Sequence, residues 1–197
     1  MRQRVVITGL GAITPVGQGR DGLWAGVRRG RPATRRLTRF DASPFRAQVA
    51  AEIDDFEPLD HMEARRVRKL DRFSQLSVAA GGQALADARL CPGAGAVEGA
   101  AVYLGSALGG VAFGEEQHER YLAGGFKAVD PMLALAVFGG AGATNVAIAF
   151  GLRGPVMGNA NSCSSGLMAI GEAFRLIRAG DLVLALAGGA EAPLAPL

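Results

Sequence analysis

Cys163 lies in Asn161-Ser162-Cys163-Ser164-Ser165-Gly166, where an extended approach gives way to a long apolar helical stretch. A thiol at such a junction meets the unpaired N–H groups and the positive dipole end of the following helix, and both favour the thiolate. That makes the sulfur a candidate nucleophile. The small residues on either side permit a sharp strand-to-helix turn, the geometry that exposes the serine of Gly-x-Ser-x-Gly hydrolases. Backbone N–H groups at such a turn can donate to a developing oxyanion. The competing account is a small buried hydrophobe, which free cysteine commonly is. Cys91 precedes Pro92 in a loop and reads as structural. The chain has two histidines, and neither follows Cys163. His61 falls in a polar loop and His118 on the acidic helix face Glu115-Glu116-Gln117-His118-Glu119, so neither reads as a catalytic base.

The elements that must position Cys163 read as alternating strands and helices, which argues for α/β layers. Val5-Val6-Ile7-Thr8-Gly9 reads as a buried strand, residues 20–29 as a short helix, and 30–60 as a surface excursion. Over 63–88 the spacing predicts one amphipathic helix, with Val67, Leu70, Phe73 and Val78 on one face and Arg65, Arg68, Lys69 and Arg72 on the other. A loop from Cys91 to Gly95 ends it, and a buried strand at 100–104 follows. Residues 111–122 and 130–150 read as helices. The helix at 164–179 is apolar on almost all sides and is expected to be buried. Leu182–Ala187 reads as a parallel strand covered on both faces.

The totals bound the function. With 197 residues, 49% hydrophobic and 20% charged, the chain can form one domain with a real core. A net charge of +3 is too mild to argue for nucleic acid. Two cysteines are no disulfide framework and fit a reducing, cytoplasmic setting. There is no signal peptide pattern, and no apolar run is long enough for a membrane span. Gly9-Leu10-Gly11 after a strand invites a dinucleotide-binding reading. The third glycine of that pattern is replaced by Thr14, with Pro15 beside it, so a tight turn is the better account. The basic face of the 63–88 helix is either a solvated surface or a dock for an acidic partner.

Several blocks together resemble the β-ketoacyl-[acyl carrier protein] synthases, the elongating condensing enzymes of fatty-acid and polyketide assembly. They are Val5 to Gly17, Leu104-Gly105-Ser106-Ala107-Leu108-Gly109-Gly110, Gly151-Leu152-Arg153-Gly154-Pro155, Ser162-Cys163-Ser164-Ser165-Gly166 and Ala187-Gly188-Gly189-Ala190-Glu191. The blocks follow the family's order and cover only its N-terminal half. The resemblance implies a thiolase-like fold, whose two α/β halves build αβαβα layers, usually in a dimer. It implies that Cys163 takes an acyl group as a thioester, its own N–H being one of two oxyanion donors. Malonyl-acyl carrier protein is then decarboxylated, and the carbanion attacks the acyl group. Leu108 matches a position lining the acyl pocket, and Arg68, Lys69 and Lys127 match positions that dock the acidic acyl carrier protein. No cofactor and no metal are implied.

The family's catalytic histidines, its lysine and the loop with the second oxyanion donor belong to the C-terminal half, and nothing in this sequence corresponds to them. Ser162 stands where the family often has alanine. The chain is therefore expected either to condense acyl and malonyl thioesters with a C-terminal half, or to be a catalytically incomplete or binding subunit that pairs with a synthase or carrier protein. A chain-length subunit of a polyketide system ranks lower, because such subunits replace the nucleophilic cysteine.

Overall fold

A computed structural model describes residues 3–92 and 97–196. A hairpin of β1 (Ile13–Thr14) and β2 (Gly17–Gln18) leads into α1 (Gly19–Arg28). A short antiparallel ladder of β3 (Arg35–Arg36) and β4 (Val49–Ala50) holds the excursion that follows. Next come α2 (Ala64–Val67), α3 (Arg72–Asp87), β5 (Ala101–Gly105), α4 (Val111–Gly124), α5 (Leu133–Val137), α6 (Ala141–Phe150), β6 (Val156–Asn159), α7 (Ser165–Ala179) and β7 (Ala185–Gly189). Strands β6, β5 and β7 form one parallel sheet in that order.

β5 is the centre of the core because both of its faces are covered. Val102 points to the α3/α6 side, where it packs with Val78, Leu85, Ala143 and Val146. Ala101 and Tyr103 point to the other side, against Ala169 and Ala173 of α7. This two-residue alternation places a helical layer on each face of the sheet. Alanine at the facing positions lets α6 and α7 lie close to the strands.

Several expectations need correction. The strand expected at Val5–Gly9 is not formed: the segment joins no ladder among the described residues, Val6 is exposed and Ile7 is 79% exposed. The described residues supply no strand beside it, so a β-branched run is left with neither ladder nor cover. Its glycines are also not there for a turn. A Cβ on Gly9 would overlap the Ala84 carbonyl, and one on Gly11 the Ala80 carbonyl, so both let the segment lie directly on the α3 backbone. The dinucleotide-binding alternative has no support in this geometry.

The helix expected over 63–88 is two helices. Asp71 adopts an extended conformation (φ −61°, ψ 155°), and its carboxylate accepts from Phe73 N at 2.8 Å, which restarts the chain as α3. The helix expected over 130–150 likewise splits into α5 and α6, at extended Phe138 before Gly139-Gly140. Finally, α7 buries only Ser165, Ala169 and Ala173. Leu167 is 75% exposed, with Met168, Ile170 and Phe174 also exposed, because the sheet covers one side of the helix alone. β7 shares this half-coverage, with Ala187 exposed. The Cys91 loop lies mostly outside the described residues, and Cys91 itself is free and exposed.

The 30–60 excursion is anchored by one buried acid. Glu52 is 2% exposed; its carboxylate accepts from Thr38 N, Thr38 Oγ1 and Arg39 N at 3.0–3.2 Å, and Arg35 lies 3.4 Å away. Burial pushes the carboxyl up, but these donors and the arginine outweigh it and hold it below its ordinary value. A lowered folded-state value means the stabilisation is present above the ordinary glutamate pKa of about 4.3 and is lost as pH falls through the folded value. The thermal midpoint of the native protein should therefore fall more steeply between about pH 5 and pH 3 than that of Glu52→Gln. A second outcome follows from the α3 contact. Gly11→Ala should destabilise by about 1–3 kcal/mol in denaturant titration, because the added methyl meets backbone that cannot move aside.

Candidate active site

Three parallel strands deliver their C-terminal ends to one place, the usual location of sites in open α/β sheets. β5 ends at Gly105 and continues into the loop 106–110. β6 ends at Asn159 and continues to Cys163. β7 ends at Gly189 and continues to Glu191. At their junction there is no room for side chains. A Cβ on Gly105 would overlap the Ser165 carbonyl, and one on Gly189 would lie 2.9 Å from the Gly166 Cα. The start of α7 is thus seated on the sheet by backbone contact.

Cys163 sits in a 3-10 turn, Ser162–Ser164, directly before α7, and its side chain is exposed. This rejects the buried-hydrophobe account. Ser162 has φ +51°, a left-handed conformation uncommon outside glycine, and this sharp bend presents the next residue outward. Asn159 holds the turn. Its Nδ2 donates to Ser165 O at 3.1 Å, and its Oδ1 accepts from Asn161 Nδ2 at 3.0 Å. The Asn159 carbonyl accepts from Ser106 N at 3.0 Å, tying the cysteine turn to the loop after β5. Ser164 Oγ closes the turn by donating to Asn161 O.

Leu108 is on that loop, 56% exposed, at the same sheet end as Cys163. Glu191 reaches back to the loop, accepting from Ser106 Oγ at 3.1 Å and Ala107 N at 2.5 Å. Sequence reasoning assigned no role to Asn159 or Glu191. For Asn159 a signal existed: Asn159-Ala160-Asn161 after a strand is a run of side-chain-to-backbone turn formers. For Glu191 there was none, since its partners are more than 80 residues away in sequence.

The basic positions separate. Arg68 and Lys69 are exposed in the turn between α2 and α3. That turn lies near the start of α4, since Asp71 accepts from Phe113 N at 3.3 Å. Lys127 is exposed in the 3-10 turn Phe126–Ala128, past the other end of α4, a helix on the order of 20 Å long. Arg72 leaves the expected basic face. It is half-buried, lies 5.4 Å over the Phe56 ring and donates to Ile53 O. His61 stacks on Phe56 and His118 is exposed on α4, so neither belongs to the cysteine turn. Burial pushes the Asp71 carboxyl up, with nearby Glu191 adding to it, against the N–H groups of Phe73, Phe113 and Arg72. Among the described residues no group of three or more His, Cys, Asp and Glu could hold a metal ion, and no helix is long and apolar enough to cross a membrane.

Comparison with known proteins agrees with this architecture. The family described as "Beta-ketoacyl synthase, N-terminal domain" matches residues 2–197. The chain is 31% identical over 192 residues to 3-oxoacyl-[acyl-carrier-protein] synthase 2 of Staphylococcus aureus (strain COL), covering 98% of this chain and 46% of that protein. It therefore spans about half the length of the curated relatives it matches. Among solved structures, the ishigamide ketosynthase/chain length factor superposes with a TM-score of 0.89 at 32% identity, over 96% of this chain and 47% of that one. A type II PKS acyl-carrier protein in complex with its ketosynthase bound to the hexaketide gives a TM-score of 0.81 at 26% identity, over 99% of this chain and 52% of that one. The three layers seen here are the N-terminal half of the thiolase-like fold. The chain belongs to the β-ketoacyl synthase family and matches its N-terminal domain.

Proposed function

We propose that Cys163 is the acyl acceptor of a decarboxylative condensation and that this chain forms the acyl-holding half of the site. The observation that carries the proposal is an exposed thiol on a left-handed bend, directly ahead of a helix seated on the C-terminal end of a parallel sheet. The thiolate attacks the carbonyl of an acyl thioester. The new carbon–sulfur bond forms as the old one breaks, and the carrier's thiolate leaves. Malonyl-acyl carrier protein then loses carbon dioxide, and its carbanion attacks the acyl-Cys163 carbonyl, expelling the Cys163 thiolate. The second step needs a proton donor and charge stabilisation near the malonyl group. Among the described residues the two histidines lie elsewhere than on the cysteine turn, His61 stacked on Phe56 and His118 on α4, so those groups are assigned to a C-terminal half like the one the relatives carry. The exposed apolar side of α7 (Leu167, Met168, Ile170, Phe174) supports such a partner surface. The alternative is a binding subunit that pairs with a synthase or carrier protein without turning over. Leu108 is proposed as a wall of the acyl pocket, and Arg68, Lys69 and Lys127 as docking cations for an acidic acyl carrier protein.

Incubation with an acyl thioester should give a mass adduct on Cys163 that is lost in Cys163→Ala. Malonyl thioester should not be turned over by this chain alone. An adduct elsewhere, or none, excludes the acyl-acceptor reading, and condensation by the isolated chain excludes the divided site. For docking, Arg68→Glu with Lys69→Glu, and separately Lys127→Glu, should each slow carrier-dependent acylation about tenfold at low salt, with the loss shrinking as salt rises. The length of α4 between the two positions means the effects should combine nearly additively.

A further inference from the structure

The loop that carries Leu108 leaves β5 at Gly105 and enters α4 at Val111, and one side chain from beyond β7 organises it. Glu191 Oε2 accepts from Ala107 N at 2.5 Å and, more loosely, from Leu108 N at 3.4 Å. Its Oε1 accepts from Ser106 Oγ at 3.1 Å, and that hydroxyl oxygen accepts from Gly109 N at 3.0 Å. Four consecutive residues, 106–109, are therefore gathered around one carboxylate. Hydrogen bonds to an ionised acceptor are the stronger kind. A second acid, Asp71, accepts from Phe113 N just after the loop enters α4.

Behind these anchors the molecule is not filled. A cavity of about 570 Å³ is walled by Asp71, Ala112, Phe113, Glu191 and Leu194, among others. The far end of the loop is tied to α5, where Gly110 N donates to Val137 O at 3.1 Å, and the bonds to Glu191 hold the stretch between that tie and the end of β5. The loop also shares its sheet end with the cysteine turn, through Ser106 N to Asn159 O. A displacement of the loop would move Leu108 relative to Cys163.

We infer that Glu191 is a positioning residue for acyl-chain selection: by holding residues 106–109 it fixes how far Leu108 projects into the space an acyl chain on Cys163 would occupy. This rests on the proposal that Cys163 accepts the acyl group and Leu108 borders its pocket. Glu191 touches neither substrate nor sulfur. Its effect is on which chain is accepted, and it is read as a ratio.

The test measures Cys163 acylation by butyryl and lauroyl thioesters, by mass spectrometry, in the assembled protein that carries this chain. Glu191→Ala should change the lauroyl-to-butyryl rate ratio by about tenfold, the size that loss of a hydrogen bond to a charged group supports. Glu191→Gln keeps an acceptor oxygen and should restore part of the native ratio. Ser106→Ala removes one link only and should shift the ratio in the same direction by a smaller factor, which keeps the test decisive if Glu191→Ala does not fold. In a Leu108→Ala background, Glu191→Ala should leave the ratio within about twofold, since the positioned side chain is gone. Equal falls for both thioesters, with the ratio unchanged in Glu191→Ala or Ser106→Ala, overturn the inference and leave Cys163 as acyl acceptor. No adduct on the unsubstituted protein overturns the parent reading itself.

Discussion

The structure depends on a place where three backbones meet without side chains between them. Gly105, the Ser165–Gly166 peptide and Gly189 converge so tightly that a single methyl group would separate them. This contact joins the ends of β5 and β7 to the start of α7, so the cysteine turn, the Leu108 loop and Glu191 share one rigid floor. Elsewhere the core is forgiving, built from alanine, valine and leucine. At this junction no repacking substitutes for absence of a side chain, because what would have to move is main chain.

From that floor the chemistry is divided by reach. The turn holding Cys163 is local: Asn159, Asn161, Ser162 and Ser164 determine it within six residues. The loop that carries Leu108 is non-local, held by a carboxylate more than 80 residues away in sequence. The cysteine turn and the Leu108 loop can thus vary separately while both stay on one sheet end. The basic positions are likewise separated on the surface, Arg68 and Lys69 near one end of α4 and Lys127 past the other.

Legibility in the sequence followed the same line between local and distant causes. The β5 strand, α4, α7 and the cysteine turn are encoded by neighbouring residues, and each lies within a few positions of where its pattern placed it. The break at 68–71 was also local, since Asp71 is a good helix cap, but the heptad-like apolar spacing through Leu70 and Phe73 masked it. The fate of Val5–Gly9 and of α7 could not be read from periodicity. Apolar character says that a surface is meant to be covered, and the covering surface is not among the described residues. Glu191 was invisible because nothing near it in sequence names its partners. The resemblance to condensing enzymes implied a role for the cysteine, and the structure shows what periodicity could not, a left-handed bend at Ser162 and an exposed Cys163.

The strand order carries a kinetic consequence. β5 is paired on one side with β6 and on the other with β7, so that Val102 faces Val156 and Leu186. No strand of this sheet pairs with its immediate hairpin neighbour, and each pairing closes a loop of at least fifty residues before any ladder bond forms. Such contacts come late in folding, because chain entropy is surrendered before the ladder compensates. Until β7 has been synthesised, β5 has an open flank lined by unpaired amides and apolar side chains. During synthesis this domain is therefore most vulnerable to misassociation in the interval between emergence of its central strand and emergence of its last one.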